Sequence, residues 1–127
     1  MPLSYQIDKQ NNVLVCKVSG ALSADDVRKM RANLREDEAF SSDLYLLFDM
    51  LDNTEFGISP SEFRELAAES PMGKQSRRAY VAPSELAFGL LRIFAGHSLA
   101  DPAYFRVFRD LAEARLWLGL DEGKGLA

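Results

Sequence analysis

Short apolar runs typical of β-strands alternate along this chain with segments that carry helix-start signals, and this alternation restricts the fold more than any other feature. The predicted order is two strands joined by a polar turn, then helix, strand, helix, strand, helix, strand and helix. Strands that alternate with helices favour a mostly parallel sheet with right-handed crossovers. The sequence therefore predicts one α/β domain with a five-stranded sheet, an N-terminal antiparallel edge hairpin and four helices.

The boundaries of these elements follow from local signals. The predicted strands are residues 5–8, 13–19, 44–48, 78–82 and 105–108. Ser23 is predicted to cap the first helix, and Ser59 with Pro60 and Glu62 has the pattern of a capping box before the second. The third helix is predicted from Glu85 to about residue 97 and the fourth from Asp110, while residues 50–57 are predicted to form a loop.

Composition narrows the class of protein. The chain has 127 residues, of which 47% are hydrophobic and 27% charged, as is ordinary for one globular domain. Its net charge of −4 disfavours nucleic acid, because an acidic domain repels phosphate backbones. Cys16 has no second cysteine to pair with, and no apolar stretch reaches the ~18 residues that span a bilayer. We expect a cytoplasmic domain over residues 1–120, with no signal peptide, no integral membrane association and a frayed tail at 121–127.

Six short motifs carry a family resemblance. They are residues 18–23 (VSGALS), 47–50 (LFDM), 78–83 (RAYVAP), 88–92 (FGLLR), 107–110 (VFRD) and 114–118 (ARLWL). In their order and spacing they resemble the STAS domain, the SpoIIAA-like fold of bacterial anti-sigma factor antagonists. The chain is more closely similar to small STAS-like bacterial proteins that have been compared with Sec14-type lipid-binding domains. The resemblance covers about Tyr5 to Leu118 and implies a SpoIIAA-like β-α superhelix.

The resemblance is incomplete at one position. Phosphorylatable antagonists carry an Asp-Ser-Ser-Gly-like turn at the start of the helix after the third strand. Residues 55–60 read EFGISP here, so Ser59 falls near the phosphoserine position without the flanking Asp, Ser and Gly. We therefore expect Ser59 to act as a helix cap and not as a phosphorylation switch.

Motifs for catalysis or metal binding are missing from the sequence. A single His and a single Cys show no metal-ligand spacing, and no nucleophile motif or phosphate-binding loop is present. We accordingly expect no catalytic residue, no metal and no cofactor. Cys16, inside a predicted strand, is expected to behave as a small buried hydrophobe.

Polar residues beside the strand ends give a candidate polar site. Asp49, Asp52 and Glu55 follow the third strand, at the sheet end where open parallel sheets bind ligands. With Ser59 and Ser84 they could hold a polar ligand, and the alternative is a solvated loop in which Asp49 bonds nearby backbone amides. At the opposite end of the sheet, the arginines at 77 and 78 are expected to be solvated edge charges.

The third helix is the most apolar segment. Leu86, Leu90 and Ile93 cluster on one stripe, which we predict to face the sheet. The apolar arc extends well beyond that stripe, so neighbouring helices, an interface or an apolar pocket could cover the remainder. The candidate ligand- or partner-binding residues on this outer arc are Phe88, Leu91, Arg92 and Phe94.

Together these features predict a non-enzymatic binding or protein-interaction module of the STAS-like family, without the phosphoserine switch and homodimeric. The alternative is a carrier or sensor of a small apolar, lipid-like ligand. A third interpretation is that the chain is an enzyme that uses Asp49 and the predicted loop after it.

Overall fold

The computed structural model describes residues 2–96 and 102–120 of the chain. Within these ranges the strands are β1 (Leu3–Asp8), β2 (Val13–Ser23), β3 (Tyr45–Gly57), β4 (Arg78–Val81) and β5 (Phe105–Phe108). The helices are α1 (Ala24–Arg35), α2 (Pro60–Ala68), α3 (Glu85–Ala95) and α4 (Leu111–Trp117), and a short 3₁₀ helix (Pro102–Tyr104) precedes β5.

The strands form one sheet in the order β1-β2-β3-β4-β5. β1 runs antiparallel to β2, and the other three pairs are parallel. Each parallel connection therefore steps to the adjacent strand through one helix. This arrangement confirms the predicted fold class, and it leaves β1 and β5 at the two edges of the sheet.

The helices cover the two faces of the sheet unequally. The larger core contains buried side chains from α1, α2 and α3, whereas the smaller core receives buried side chains from α4 and the residues after it. Cys16 lies in the larger core, as predicted, and burial raises the pKa of its thiol to about 12. In the described part of the chain, no helix is long and apolar enough to cross a membrane.

The turn and the helix caps that local sequence signals predict are present in the structure. Asn12, in the turn between β1 and β2, has a φ of 57°, in the left-handed region that asparagine tolerates. Ser23 and Ser59 both act as N-caps with a reciprocal capping box, to Asp26 and to Glu62 respectively. Asp110 caps α4 by accepting bonds from the next helical amides.

The prediction of a loop over residues 50–57 was wrong. β2 and β3 remain paired beyond their apolar parts, and Ser19, Leu22 and Ser23 lie opposite residues 52, 56 and 57. The register shifts between Lys17 and Ser19 and again just after Gly20, whose φ is +80°. The extension is polar because most of its side chains are exposed, while its pairing uses backbone groups that every residue supplies.

Two predictions fall outside the described residues. α3 ends at Ala95, and the predicted helix end near residue 97, with the chain's single histidine, His97, lies in the segment 97–101 that the structure does not describe. The tail at residues 121–127 is likewise outside the described part.

Candidate functional site

α3 is anchored at its N-terminal end. The side-chain oxygen of Ser84 accepts a hydrogen bond from the amide of Ala87 at 3.1 Å, and the Ser84 carbonyl accepts one from the amide of Phe88. Glu85 forms an ion pair with Arg109, which follows β5 directly. These contacts set the start of α3 beside the end of the edge strand.

The predicted orientation of α3 was wrong at three positions, although Leu90 of the predicted inner stripe does pack against the larger core. Leu91, expected on the outer arc, is only 2% exposed, whereas Leu86 and Ile93, expected to face the sheet, are 75% and 62% exposed. Leu91 packs into the larger core, and Phe88 is half-buried against the same core. Both arcs of the helix are apolar, so periodicity could not decide between them. The backbone of Phe94 belongs to α3, but its side chain lies outside what the structure describes.

An open cleft lies between the C-terminal half of α3 and the edge strand β5. Its volume is about 500 Å³. We call it the α3–β5 cleft, and the residues that line it are Phe88, Arg92, Ala95, Gly96, Pro102, Phe105, Arg106 and Val107. Two of the four residues that the sequence suggested for binding, Phe88 and Arg92, are therefore at this cleft, while Leu91 is in the core behind it.

The described lining of the α3–β5 cleft is positively charged. Two arginines and no carboxylate are found among its described lining residues. The guanidinium of Arg92 lies over the ring of Phe88, and that of Arg106 lies over the ring of Phe108, 5.5 Å from its centre. Neither arginine takes part in any ion pair within the described ranges. The described lining therefore combines aromatic surface with two arginines that have no ion-pair partner among the described residues.

A second, much smaller cavity lies beneath the helices. Its volume of about 40 Å³ is room for about one water molecule, and its lining includes Leu91 and Tyr80. The ring of Tyr80 stacks between those of Phe48 and Phe105, with centroids 5.2 and 4.8 Å away. Burial raises the pKa of the Tyr80 hydroxyl. This cavity is core packing and is too small for an organic ligand.

The prediction that Arg78 is a solvated edge charge was also wrong. Arg78 is only 6% exposed, and its Nη2 donates to the carbonyl oxygens of Met72 and Gly73. Its Nε is buried without a hydrogen-bond partner among the described atoms. Burial lowers the pKa of this guanidinium. Arg78 therefore fastens the segment before β4 to the sheet.

Its neighbour Arg77 is half-buried and also has a structural contact. Its Nη1 donates to the carbonyl of Trp117 at 2.7 Å, and its guanidinium lies over the indole ring. This contact joins the start of β4 to the end of α4.

Four residues of the candidate polar site, Asp49, Asp52, Ser59 and Ser84, have separate local partners. Asp49 accepts from the amide of Leu51, as predicted, and Asp52 pairs with Lys17 at 3.7 Å. Ser59 and Ser84 cap α2 and α3. No described contact joins these four residues, and no group of three His, Cys, Asp or Glu in the described ranges could hold a metal ion.

Sequence reasoning missed the β5 half of the cleft. Phe105 and Val107 were recognised as strand residues, but their place beside α3 depends on β5 lying at the sheet edge. The sequence gives the order of strands along the chain and does not give their order in the sheet.

Comparison with solved structures identifies the fold. One match is the crystal structure of an uncharacterized protein from the DUF3478 family with a SpoIIAA-like fold from Shewanella loihica PV-4. It superposes with a TM-score of 0.63 over 91% of this chain and 93% of that chain, at 24% sequence identity. The fold is thus SpoIIAA-like, as the resemblance implied. No protein-family model matches the sequence, and no curated protein does.

Proposed function

We propose that the chain is a non-catalytic binding module whose ligand occupies the α3–β5 cleft. The lining of this cleft carries the proposal, because aromatic rings from two elements meet there beside a guanidinium. Its volume of about 500 Å³ lies within the range usual for ligand sites. A lining of this kind suits a ligand with an apolar body and a negative charge.

The side chains of the cleft support binding over catalysis. General acid–base and nucleophilic catalysis need a titratable or nucleophilic group beside the substrate. The described lining residues are aromatic, aliphatic, glycine, proline and arginine, and a guanidinium stays protonated at physiological pH. The thiol of Cys16 is buried with a pKa of about 12, so it does not supply a nucleophile either.

Transport or sensing of a small uncharged ligand is the second candidate function. The apolar lining residues Phe88, Phe105 and Val107 favour it, because they could hold an apolar body without any contribution from the arginines. A pair of fluorescent probes separates the two candidates. Anilinonaphthalene sulfonate is an aromatic anion, and N-phenylnaphthylamine is a closely similar neutral molecule.

The test is to fill the cleft and measure the binding of both probes. Ala95→Phe places a ring inside the cleft, and Ala32→Phe makes the same change on an exposed position of α1. We expect Ala95→Phe to weaken probe binding by about tenfold or more, and Ala32→Phe to leave it unchanged. If Ala95→Phe remains folded by circular dichroism and binds like the wild type, the cleft is not the site. Equal affinity for both probes would favour the uncharged ligand.

The exposed side of α3 supports a homodimer as a further part of this proposal. Leu86 and Ile93 flank Gly89 on this side. A side chain at Gly89 would meet no atom of the described chain within 4 Å, although glycine costs about 1 kcal/mol in a helix interior. Packing within one protomer therefore does not require glycine at position 89. A second copy of the chain that approached α3 closely at this position would require it.

Light scattering tests the dimer. The double variant Leu86→Lys, Ile93→Lys should be a folded monomer, because two charges would lie on the two-fold interface. Lys substitutions at the exposed positions Ala32 and Asn33 of α1 add the same two charges and provide the matched control, which should remain dimeric. A wild-type protein that is monomeric at high concentration would exclude the dimer.

A further inference from the structure

β5 is an edge strand with one side unpaired within the described residues. The carbonyl of Phe108 accepts a hydrogen bond from Ala82, just after β4, so the Phe108 backbone points towards β4. Backbone groups alternate in direction along a strand, which turns the N–H and C=O of Val107 away from β4. Among the described backbone hydrogen bonds outside the sheet ladder, none involves Val107. The open edge thus offers a donor and an acceptor at the mouth of the α3–β5 cleft.

The surroundings of this edge differ on the two faces of the sheet. On one face, α3 forms a wall beside β5 with Phe88, Ala95 and Arg92. On the other face, the guanidinium of Arg106 lies over Phe108, which belongs to the smaller core. An added strand would therefore meet apolar surface and one cation on the first face, and a second cation on the opposite face.

We propose that the α3–β5 cleft receives an extended acidic peptide segment, which pairs with β5 as a sixth strand of the sheet. This inference rests on the proposed function of the cleft and names its partner. Since side chains of a strand alternate between faces, the segment would carry apolar residues towards α3 and acidic residues towards Arg106. The backbone of Val107 would supply the hydrogen bonds, and Arg106 would select for negative charge.

Two observations favour a peptide over a small ligand. A peptide backbone satisfies the outward N–H and C=O of Val107, which an apolar small molecule would cover without a partner. Both arginines line the cleft, but Arg92 lies over Phe88, which packs against the larger core, and Arg106 lies over Phe108 of the smaller core, so alternate side chains of a strand would meet one arginine on each face. Both requirements are met by strand addition to the sheet.

The experiment uses two synthetic peptides and the full chain. One peptide alternates glutamate and valine, and the control alternates lysine and valine. We expect the glutamate peptide to bind at least about tenfold more tightly, because like charges at the cleft oppose the lysine peptide. On saturation, amide exchange at Val107 measured by NMR should slow by about tenfold or more, because its N–H becomes hydrogen-bonded. Val107→Pro, which removes that N–H at an edge position, should abolish peptide binding.

Each outcome decides the inference. Binding without protection of Val107, equal binding of the lysine peptide, or no binding of either peptide would overturn strand addition. If one of these results is obtained and anilinonaphthalene sulfonate nevertheless binds wild type and not Ala95→Phe, the proposed function stands although strand addition has failed. If Val107→Pro does not fold, the exchange rate of Val107 in the wild-type protein decides alone.

Discussion

The guanidinium carbon of Arg92 lies 5.7 Å from the centre of the Phe88 ring, one turn earlier on α3. A cation over an aromatic face is stabilised by about 0.5–1 kcal/mol at an exposed site. This contact keeps the positive charge of Arg92 against the wall of the α3–β5 cleft, where Arg92 is exposed.

Reversing this charge should separate anion binding from apolar binding. Arg92→Glu should weaken the binding of anilinonaphthalene sulfonate by about tenfold or more, because a carboxylate would then face the sulfonate. N-phenylnaphthylamine carries no charge, and its affinity should change little. Arg64→Glu makes the same change on an exposed position of α2 and is the control. Similar losses in both variants would point to net charge and not to the cleft.

The orientation of α3 predicts opposite effects for two leucines. Leu91→Ala should lower the free energy of unfolding by about 2–5 kcal/mol, because it leaves a cavity in the core. Leu86→Ala should change it by less than about 0.5 kcal/mol, because Leu86 is exposed in the protomer. Urea unfolding at low protein concentration measures both. The reverse ranking would mean that α3 presents its other face to the sheet.

The N-cap of α2 predicts that removal of the Ser59 hydroxyl lowers the stability of the protein. Ser59 Oγ accepts from the amide of Glu62, and the Glu62 carboxylate accepts from the amide of Ser59. Ser59→Ala should lower the free energy of unfolding by roughly 0.5–2 kcal/mol. Ser4→Ala, at an exposed strand position, is the control and should have a smaller effect. Stoichiometric phosphate on Ser59 in the native protein would contradict a purely structural role.

The carboxylate of Asp37 predicts a pH dependence. The backbone amide of Ala39 and the hydroxyl of Tyr5 hold the pKa of Asp37 below its usual 3.8. Because this pKa is lower in the folded state, the ionised carboxylate contributes stability that is present above the unfolded pKa and is lost as the pH falls through the folded pKa. Tyr5→Phe should raise the pKa of Asp37 towards 3.8 and reduce the stability lost on acidification.

NMR titration of the Asp37 carboxyl carbon measures this shift directly. Asn12→Ala, which changes a side chain bonded elsewhere in the fold, should leave the Asp37 titration unchanged. An identical Asp37 pKa in wild type and Tyr5→Phe would show that the hydroxyl does not stabilise the carboxylate.

The sequence by itself determined the types and order of the elements. Ser59 and Glu62 act through contacts within a few residues, and the left-handed backbone of Asn12 reflects a preference of that residue type, so both effects are readable without the rest of the chain. The apolar runs that become the centres of the strands are equally local. These signals were sufficient for the α/β class, the opening hairpin and the SpoIIAA-like resemblance.

Tertiary structure decided which surfaces meet. α3 is apolar on two arcs, and packing against the sheet, not periodicity, chose Leu91 over Leu86 for the core. β3 continues through polar residues because its hydrogen bonds with β2 are made by backbone atoms. The side-chain composition of the segment therefore does not predict this pairing. Phe105 and Val107 joined the candidate site only because the strand order places β5 at an edge beside α3. The strand order depends on pairing between residues far apart in the sequence. The free energy that stabilises this order comes from those long-range contacts, which a local sequence pattern does not reveal.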